Sequence, residues 1–355
     1  MIEVPVTSGS LGLRLVSVLD RHDLRSRVQS ALDAFVTDHR PGLLAMAEEL
    51  APMVDALGNF LSGGKRLRPG FCFWGHLGAG GRDSDDVVVA ASALELFQAA
   101  AIIHDDVMDG SDTRRGKPAV HKQFAALHGD QFGTGAAILL GDLALSWSEE
   151  MLVGSGLLNP GARHVFDTMR AELMAGQYLD LLESVSSNGT VASALRVARY
   201  KSAKYTIVEP LHLGGTTAGA APEVLDAYTA YGLPLGIAFQ LRDDVLGVFG
   251  DPAVTGKPAG DDLREGKRTA LVAMALERAT PGQADLVRGT LGDPGLDADG
   301  VAELRDVLVS TGAVDRVETL IASSTEEALA ALEPLDGEAR EVLRELAVEA
   351  TVRTL

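Results

Sequence analysis

The sequence has a single cysteine among its 355 residues, Cys72. One cysteine excludes an internal disulfide and fits a reducing compartment. Its neighbours in FCFWG are apolar, which is typical of a packed, unreactive thiol.

Positive charge is also scarce. The chain carries 31 Lys and Arg against 50 Asp and Glu, a formal net charge of -19. That excess of negative charge argues against broad nucleic-acid binding. Any anionic ligand must therefore be held by a local cluster of bases or by metal ions.

Targeting and membrane signals are missing as well. The N-terminus, MIEVPVTSGSLGLRL, has acidic and polar residues where a signal peptide would have a basic start and an apolar core. No uninterrupted apolar run reaches the roughly 18 residues that a membrane span requires. We expect a cytoplasmic protein with no transmembrane segment.

Strand-like alternation is nearly absent, and aromatic residues make up only 5% of the chain. Ala and Leu abound, and helical periodicity recurs from about residue 24 in segments of roughly 15 to 30 residues. Short breaks rich in Gly, Pro, Ser or Asp separate them. We predict one all-α domain over 1–355, a bundle of about ten or more helices with its core at about 25–350. Residues 1–20 are expected to be irregular, and 280–300 to form a mobile loop.

The stretch IIHDDVMDGSDTRRG, residues 102–116, places carboxylates at the end of an apolar helix. Asp105 and Asp109 are four residues apart and share one helix face, where they could hold a hard cation such as Mg²⁺. A solvated helix end is the alternative. However, acidic residues are unfavourable at a helix C-terminus, which already carries negative partial charge. The pattern therefore indicates a metal site.

A second acidic cluster occurs in AFQLRDDVLGVFGD, residues 238–251, and again closes an apolar segment. Asp243 and Asp244 are followed by Gly247 at the i+4 position and by Asp251. Two such clusters facing each other would form a multi-metal site, and metals of this kind commonly bridge carboxylates to phosphate.

Clusters of basic residues could complete such a site, because guanidinium groups bind phosphate in a bidentate manner. Each base taken alone is more often a surface charge, but together they could hold two anions. No P-loop, HExxH, CxxC or Ser–His–Asp pattern is evident. The bases are Lys65, Arg66, Arg68, Arg114, Arg115, Lys201, Lys204, Lys257, Lys267 and Arg268.

Six blocks in order resemble the polyprenyl synthetase family of trans-isoprenyl diphosphate synthases, in particular its short-chain geranylgeranyl branch. The resemblance covers roughly residues 25–350. The blocks are GGKRLRP at 63–69, DDVMDGSDTRRG at 105–116, GQYLDL at 176–181, the Lys-Ser pair at 201–202, FQLRDD at 239–244 and GKPAGDDLREGKRT at 256–269.

The resemblance implies an all-α fold around a central cavity, a homodimer, and Mg²⁺ with three ions per active site. Asp105 and Asp109 resemble the ligands of two ions, and Asp243 resembles the ligand of the third. Asp106 and Asp244 would support them. The substrates implied are isopentenyl diphosphate and an allylic diphosphate.

The family's substrate groups carry over to individual positions. Arg114, Lys201 and Lys257 resemble the allylic diphosphate clamp, with Lys267 as a helper. Lys65, Arg68 and Arg115 resemble the isopentenyl diphosphate site, to which Gln98 also belongs. Gln240 and the Lys201–Ser202 backbone resemble groups that line the reacting carbons, with Gln177 and Asp180 nearby.

Two positions depart from the most frequent pattern. Gln98 stands where many members have His, although other branches have Gln. Gly247 stands where many have a third aspartate, which would loosen the shell of the third metal; Asp251 could compensate through water.

The implied reaction ionises dimethylallyl, geranyl or farnesyl diphosphate, condenses the cation with isopentenyl diphosphate and eliminates a proton. Product length is expected to depend on the helix before Asp105, where Phe97, Ala100 and Ala101 would form the pocket. The two small alanines favour geranylgeranyl diphosphate (C20). Farnesyl (C15) and longer (C25 and above) products remain open, as do a class I terpene cyclase and a non-catalytic partner subunit.

Overall fold

A computed structural model of the protein describes residues 18, 20–185, 189–250 and 260–351. Helices dominate these residues. The α-helices are α1 Leu24–Met46, α2 Ala51–Leu61, α3 Leu67–Gly78, α4 Asp85–Met108, α5 Val120–His128, α6 Asp130–Gly154, α7 Pro160–Val185, α8 Val191–Val197, α9 Glu209–Thr217, α10 Pro222–Phe249, α11 Asp261–Arg264, α12 Ala270–Leu276, α13 Pro281–Thr290, α14 Ala298–Ser310, α15 Ala313–Ala330 and α16 Gly337–Thr351. A π-helix, Ala198–Val208, connects α8 to α9. Strands β1 Thr113–Arg114 and β2 Lys117–Pro118 form a small antiparallel hairpin.

The all-α prediction is confirmed, but the expected loop at 280–300 is wrong for its first half. Pro281–Thr290 is helical. Thr280 and Gln283 form a capping box in which each side chain accepts from the other residue's backbone N–H, and Pro281 occupies the first turn. These are helix-start signals, and the polar composition of the segment obscured them.

The chain divides into two compact units. The N-terminal unit contains the described parts of 19–163 together with 213–220. The C-terminal unit contains residue 18 and the described parts of 164–212 and 221–355. The single domain expected over 1–355 stays a prediction.

The N-terminal unit is built around α4. Ser84 caps this helix by accepting from the Val87 N–H. The helix packs against α1, α3 and α6 and buries residues on every side. Alanines at 90, 91, 93, 99 and 100 keep it thin enough for that.

The apolar composition of α4 bears on the expectation that the chain has no transmembrane segment. Among the described helices, α4 alone is long and apolar enough to span a membrane by length and composition. However, 72% of its apolar window is buried inside the protein. Burial of this extent is typical of the core helix of a globular unit.

The C-terminal unit is built around α10, which packs against the π-helix, α15 and α16. Glycines on α10 allow close approach to the π-helix. A Cβ at Gly236 would overlap the Ala203 backbone, and one at Gly232 would lie 2.8 Å from Val208 Cγ2. This contact brings Ser202 of the π-helix against Gln240 of α10.

Candidate active site

The first acidic motif lies where α4 ends, as predicted. Asp105 is half-buried, Asp106 is fully buried, and Asp109 is the exposed C-cap, whose backbone N–H donates to the Asp105 carbonyl at 2.8 Å. One turn of helix therefore presents Asp105 and Asp109 outward and Asp106 inward.

The β1–β2 hairpin turns Arg114 back onto Asp106. The Arg114 Nε donates to Asp106 Oδ1 at 2.9 Å, and Nη2 donates to the same oxygen. The other carboxylate oxygen, Oδ2, is buried and has no hydrogen-bond partner in the described part of the chain. The role of Arg114 in clamping a diphosphate stays a prediction, and the structure shows that Arg114 fixes the motif's central carboxylate.

In both Asp106 and Arg114, burial disfavours the charged form and the opposite charge of the partner favours it. Burial raises the pKa of Asp106, and the Arg114 guanidinium only partly offsets that effect. Burial alone would lower the pKa of Arg114, but Asp106, Asp105 and Asp109 outweigh it and raise the pKa. Arg114 therefore stays charged and faces three carboxylates.

Arg115, the second arginine, contacts the GGKRLRP loop. Its guanidinium lies over the Phe60 ring at 5.6 Å and beside Gly64. Gly64 has φ +101°, a conformation that suits glycine and lets the loop pass close to Arg115. The structure thus brings Arg115 to the loop that carries Lys65 and Arg68, with which it was grouped as an isopentenyl diphosphate site.

Arg66 has a structural position that the sequence did not reveal. It is buried and donates to Glu95 of α4, to the Leu61 carbonyl and to Gln29 Oε1, the last at 2.6 Å. Glu95, a lone acid in an apolar run, was the available signal for this ion pair. Arg66 therefore fixes the loop to α4.

The residues predicted to set product length lie on α4 upstream of the motif. Phe97 and Ala100 are buried, each 2% exposed, whereas Gln98 and Ala101 are partly exposed. A buried aromatic ring two turns before Asp105 fits either a pocket floor or ordinary core packing.

The second acidic motif lies on α10. The expectation that it ends its helix is wrong, because α10 continues to Phe249. Asp243 is half-buried and Asp244 is buried. The Gln240 amide donates to Asp244 Oδ1 at 2.8 Å, and Ser202 Oγ donates to Gln240 Oε1 at 2.5 Å. Ser202, Gln240 and Asp244 thus form one hydrogen-bonded chain.

Asp244 is strongly perturbed. Burial, together with the negative charges of Asp262 and Asp243, raises its pKa to about 7, against the opposing hydrogen bond from Gln240. Burial is the largest cause of this shift, so Asp244 lies in a desolvated site with two other carboxylates nearby.

Lysines flank the second motif. Lys201 lies in the π-helix, and its Nζ donates to Asp180 Oδ2 of α7 at 2.6 Å. Lys267 donates to Asp262 and Glu265, at 2.6 and 2.7 Å. Irregular helical turns of the π type often occur at functional sites. Lys257 and Asp251 lie outside the described residues.

The carboxylates suit Mg²⁺, which keeps water and substrate ligands, better than a metal ion enclosed entirely by protein side chains. Among the described residues, no group of three or more His, Cys, Asp or Glu side chains converges to hold an ion by itself. Mg²⁺ commonly binds one or two carboxylates and completes its shell with water and substrate phosphates. Pairs such as Asp105 with Asp109 provide hard oxygen donors of that kind.

Comparison with known proteins identifies the family. The polyprenyl synthetase family model matches residues 51–308. The chain belongs to the polyprenyl synthetase family. Its members include a geranylfarnesyl diphosphate synthase of Aeropyrum pernix, 33% identical over 292 residues, which cover 79% of this chain and 88% of that protein. A geranylgeranyl diphosphate synthase of Methanosarcina mazei is 34% identical over 272 residues, covering 75% and 78%.

Among solved structures, a geranylgeranyl pyrophosphate synthase from Corynebacterium glutamicum, complexed with isoprenyl diphosphate and magnesium, superposes with a TM-score of 0.88. The two chains are 42% identical, and the match covers 93% of this chain and 99% of that one. The matched family segment takes in both acidic motifs, and the protein is a prenyltransferase of the polyprenyl synthetase family.

Proposed function

We propose that this prenyltransferase condenses isopentenyl diphosphate with dimethylallyl, geranyl or farnesyl diphosphate and releases geranylgeranyl diphosphate. The allylic C1–O bond breaks, and its electron pair leaves with the diphosphate. The isopentenyl double bond attacks C1, and loss of a proton from the isopentenyl unit restores neutrality at carbon. Each cycle lengthens the chain by five carbons.

The observation that carries this proposal is the parallel construction of the two acidic motifs. Each has a buried aspartate fixed by a hydrogen-bond donor, Arg114 on Asp106 and Gln240 on Asp244. Each keeps a half-buried aspartate beside it, Asp105 or Asp243. Such fixed, adjacent carboxylates are suited to hold hard cations in a defined position.

Mg²⁺ is the proposed cofactor, with three ions per active site held by Asp105, Asp109 and Asp243. When bound, it would supply Lewis-acid stabilisation of the charge that develops on the leaving diphosphate. The magnesium in the Corynebacterium structure supports this choice of ion.

The bases would hold the substrates. Arg114 donates to Asp106 and Lys201 donates to Asp180. With these contacts kept, the remaining N–H groups of both, together with Lys257 and Lys267, would bind the allylic diphosphate. Lys65, Arg68, Arg115 and Gln98 are assigned to isopentenyl diphosphate. The Ser202–Gln240–Asp244 chain would orient Gln240 toward the reacting carbons and keep water from the allylic cation.

The proposal of a C20 product is based on the side chains of α4. The small side chains at Ala100 and Ala101 leave room for a growing chain, and buried Phe97 would stop it further along the helix. The relatives named above make different products, geranylgeranyl and geranylfarnesyl diphosphates, so product length is the finer part of the proposal.

We further propose a cytoplasmic homodimer. Large apolar side chains are exposed on α5 and α6, among them Leu127, Phe132, Ile138 and Leu139, the last 62% exposed. An apolar surface of this kind commonly marks a subunit interface. Light scattering should give about twice the 37.2 kDa chain mass, and Leu139→Glu should shift the protein toward monomer. Val309→Glu, at an exposed position on α14, is the control.

The activity test incubates purified protein with Mg²⁺, isopentenyl diphosphate and each allylic starter in turn, and sizes the products by chromatography. We expect a C20 product from all three starters. A mainly C15 or C25 distribution would correct the length alone. Cyclised hydrocarbons, or no turnover from any starter, would contradict the proposal.

A further inference from the structure

Gly247 of α10 lies directly against the carboxylate of Asp262. A Cβ added at Gly247 would overlap Asp262 Oδ2 and lie only 2.5 Å from Cγ. A side chain at position 247 is thus incompatible with the observed position of Asp262. Gly247 lies inside α10, where glycine destabilises a helix by about 1 kcal/mol relative to alanine. The close contact with Asp262 explains why glycine occupies this position despite that cost.

Asp262 is firmly held where it lies. It belongs to the short helix α11 and is only 8% exposed. Lys267 Nζ donates to its Oδ1 at 2.6 Å, and the Lys267 backbone N–H donates to its carbonyl at 3.0 Å. The lysine engages one carboxylate oxygen and leaves the other directed at α10.

Position 247 follows Asp243 by four residues, so the two positions share a face of α10, one turn apart. The carboxylate of Asp262 therefore lies on the face that carries Asp243, although it comes from another helix. An aspartate at position 247 would have placed its own carboxylate in the same region.

We propose that Asp262 serves as the third carboxylate of the second acidic motif, and that Gly247 is the positioning residue that admits it. This inference rests on the proposed function, because it assigns Asp262 to the water shell of the ion held by Asp243. Asp262, and not Asp251, would then compensate for the aspartate that Gly247 replaces.

Three variants separate the roles of shape and charge. Asp262→Asn keeps the shape and removes the charge. Gly247→Ala keeps the charge and displaces the carboxylate. The double variant Gly247→Asp with Asp262→Asn returns one carboxylate to the region from α10. Asp261→Asn, one residue away on the same short helix, is the matched control.

The measurement is Mn²⁺ binding, followed by electron paramagnetic resonance with inorganic diphosphate present, alongside thermal melting. Removing an outer-shell carboxylate commonly weakens metal affinity by about 10- to 100-fold. We expect the affinity for the most weakly bound Mn²⁺ ion to fall by that factor in D262N and G247A. The double variant should recover this affinity, and D261N should bind Mn²⁺ like the wild type.

The outcomes distinguish the two proposals. If the wild type binds Mn²⁺ and makes prenyl diphosphates while D262N and G247A bind Mn²⁺ equally well, the role of Asp262 is overturned and the proposed function stands. If the wild type fails in both assays, the proposed function itself fails. Should G247A not fold, D262N and the double variant decide, and a double variant no better than D262N overturns the proposal.

Discussion

At the scale of single residues, several buried charged side chains in the described part of the chain lie against an oppositely charged partner. Arg66 with Glu95 and Arg114 with Asp106 are the examples in the N-terminal unit. In the C-terminal unit, buried Glu209 lies 3.3 Å from Lys204, which also donates to Glu172. The catalytic proposal does not use Glu209, so its titration can be measured without disturbing the active-site groups.

Glu209 should make stability depend on pH. Burial raises its pKa from 4.5 to about 7, and the attraction of Lys204 only partly opposes this. Between these two values the folded chain keeps a proton that the unfolded chain has lost. Stability therefore falls as pH rises through this window, by up to ~3 kcal/mol at about 1.4 kcal/mol per pKa unit.

Chemical denaturation of the wild type and Glu209→Gln at pH 5 and pH 8 measures this contribution. The wild type should lose more free energy of unfolding than E209Q between the two conditions. Equal losses would show that Glu209 does not titrate as the structure indicates.

The sequence predicts the position of single residues within a helix but not their contacts with distant residues. The spacing of Asp105 and Asp109 was enough to place both at the end of α4, since helical periodicity fixes the face. Contacts between residues that are distant in sequence could not be predicted. Arg66 in the loop before α3 contacts Glu95 on α4, and Gly247 on α10 contacts Asp262 on α11. The sequence alone does not give the distance between such separate segments.

At the scale of elements, the packing of α10 against the π-helix positions Ser202 beside Gln240. Gly236 makes this possible, because a Cβ there would overlap the Ala203 backbone. Backbone cannot move aside as a flexible side chain can. The sequence of Ala198–Val208 carried no signal that distinguished a π-helix from an α-helix.

Gly236→Ala should therefore destabilise the protein by about 1–3 kcal/mol, the usual cost of overpacking a core. Gly289→Ala on α13 is the matched control, because nothing lies within 4 Å of its Cβ position. That change should be neutral or stabilising by up to about 1 kcal/mol. Thermal and denaturant unfolding of both variants tests this, and equal effects would rule out the close-contact role of Gly236.

The chain-length role of α4 belongs to the same scale. Phe97 and Asp105 are eight residues apart, about 12 Å along a helix, so Phe97 would meet a chain growing down from the motif. Phe97→Ala should lengthen the product distribution beyond C20 and also destabilise the N-terminal unit by about 3–5 kcal/mol, because the ring is buried.

Phe97→Leu is the companion variant, which keeps most of the apolar volume. Chromatography of the products decides the matter. If neither variant lengthens the distribution, Phe97 is core packing and not the floor.

At the scale of the whole molecule, the prediction of an all-helical protein of the polyprenyl synthetase family is confirmed. Helical period, short breaks and six ordered motifs were sufficient for this, because each is a local property of the chain. The division into two compact units was not foreseen. No composition shift or linker marks it, and two of the boundaries, at 163/164 and 212/213, lie inside helices α7 and α9.

In the proposed function, the paired aspartates of the two motifs hold the ions that prenyl transfer requires. Asp105→Ala and Asp243→Ala should each lower the turnover number with isopentenyl and farnesyl diphosphates by at least about 100-fold, consistent with loss of an essential ligand. Their melting temperatures should stay close to that of the wild type, since both side chains are only half-buried.

Asp112→Asn, in the same stretch but paired with Lys122 at 3.0 Å, provides the control. The most direct test is the steady-state turnover of these three variants beside the wild type. We expect near-complete loss of turnover in D105A and D243A and near wild-type turnover in D112N. Near wild-type turnover in either folded alanine variant would contradict it.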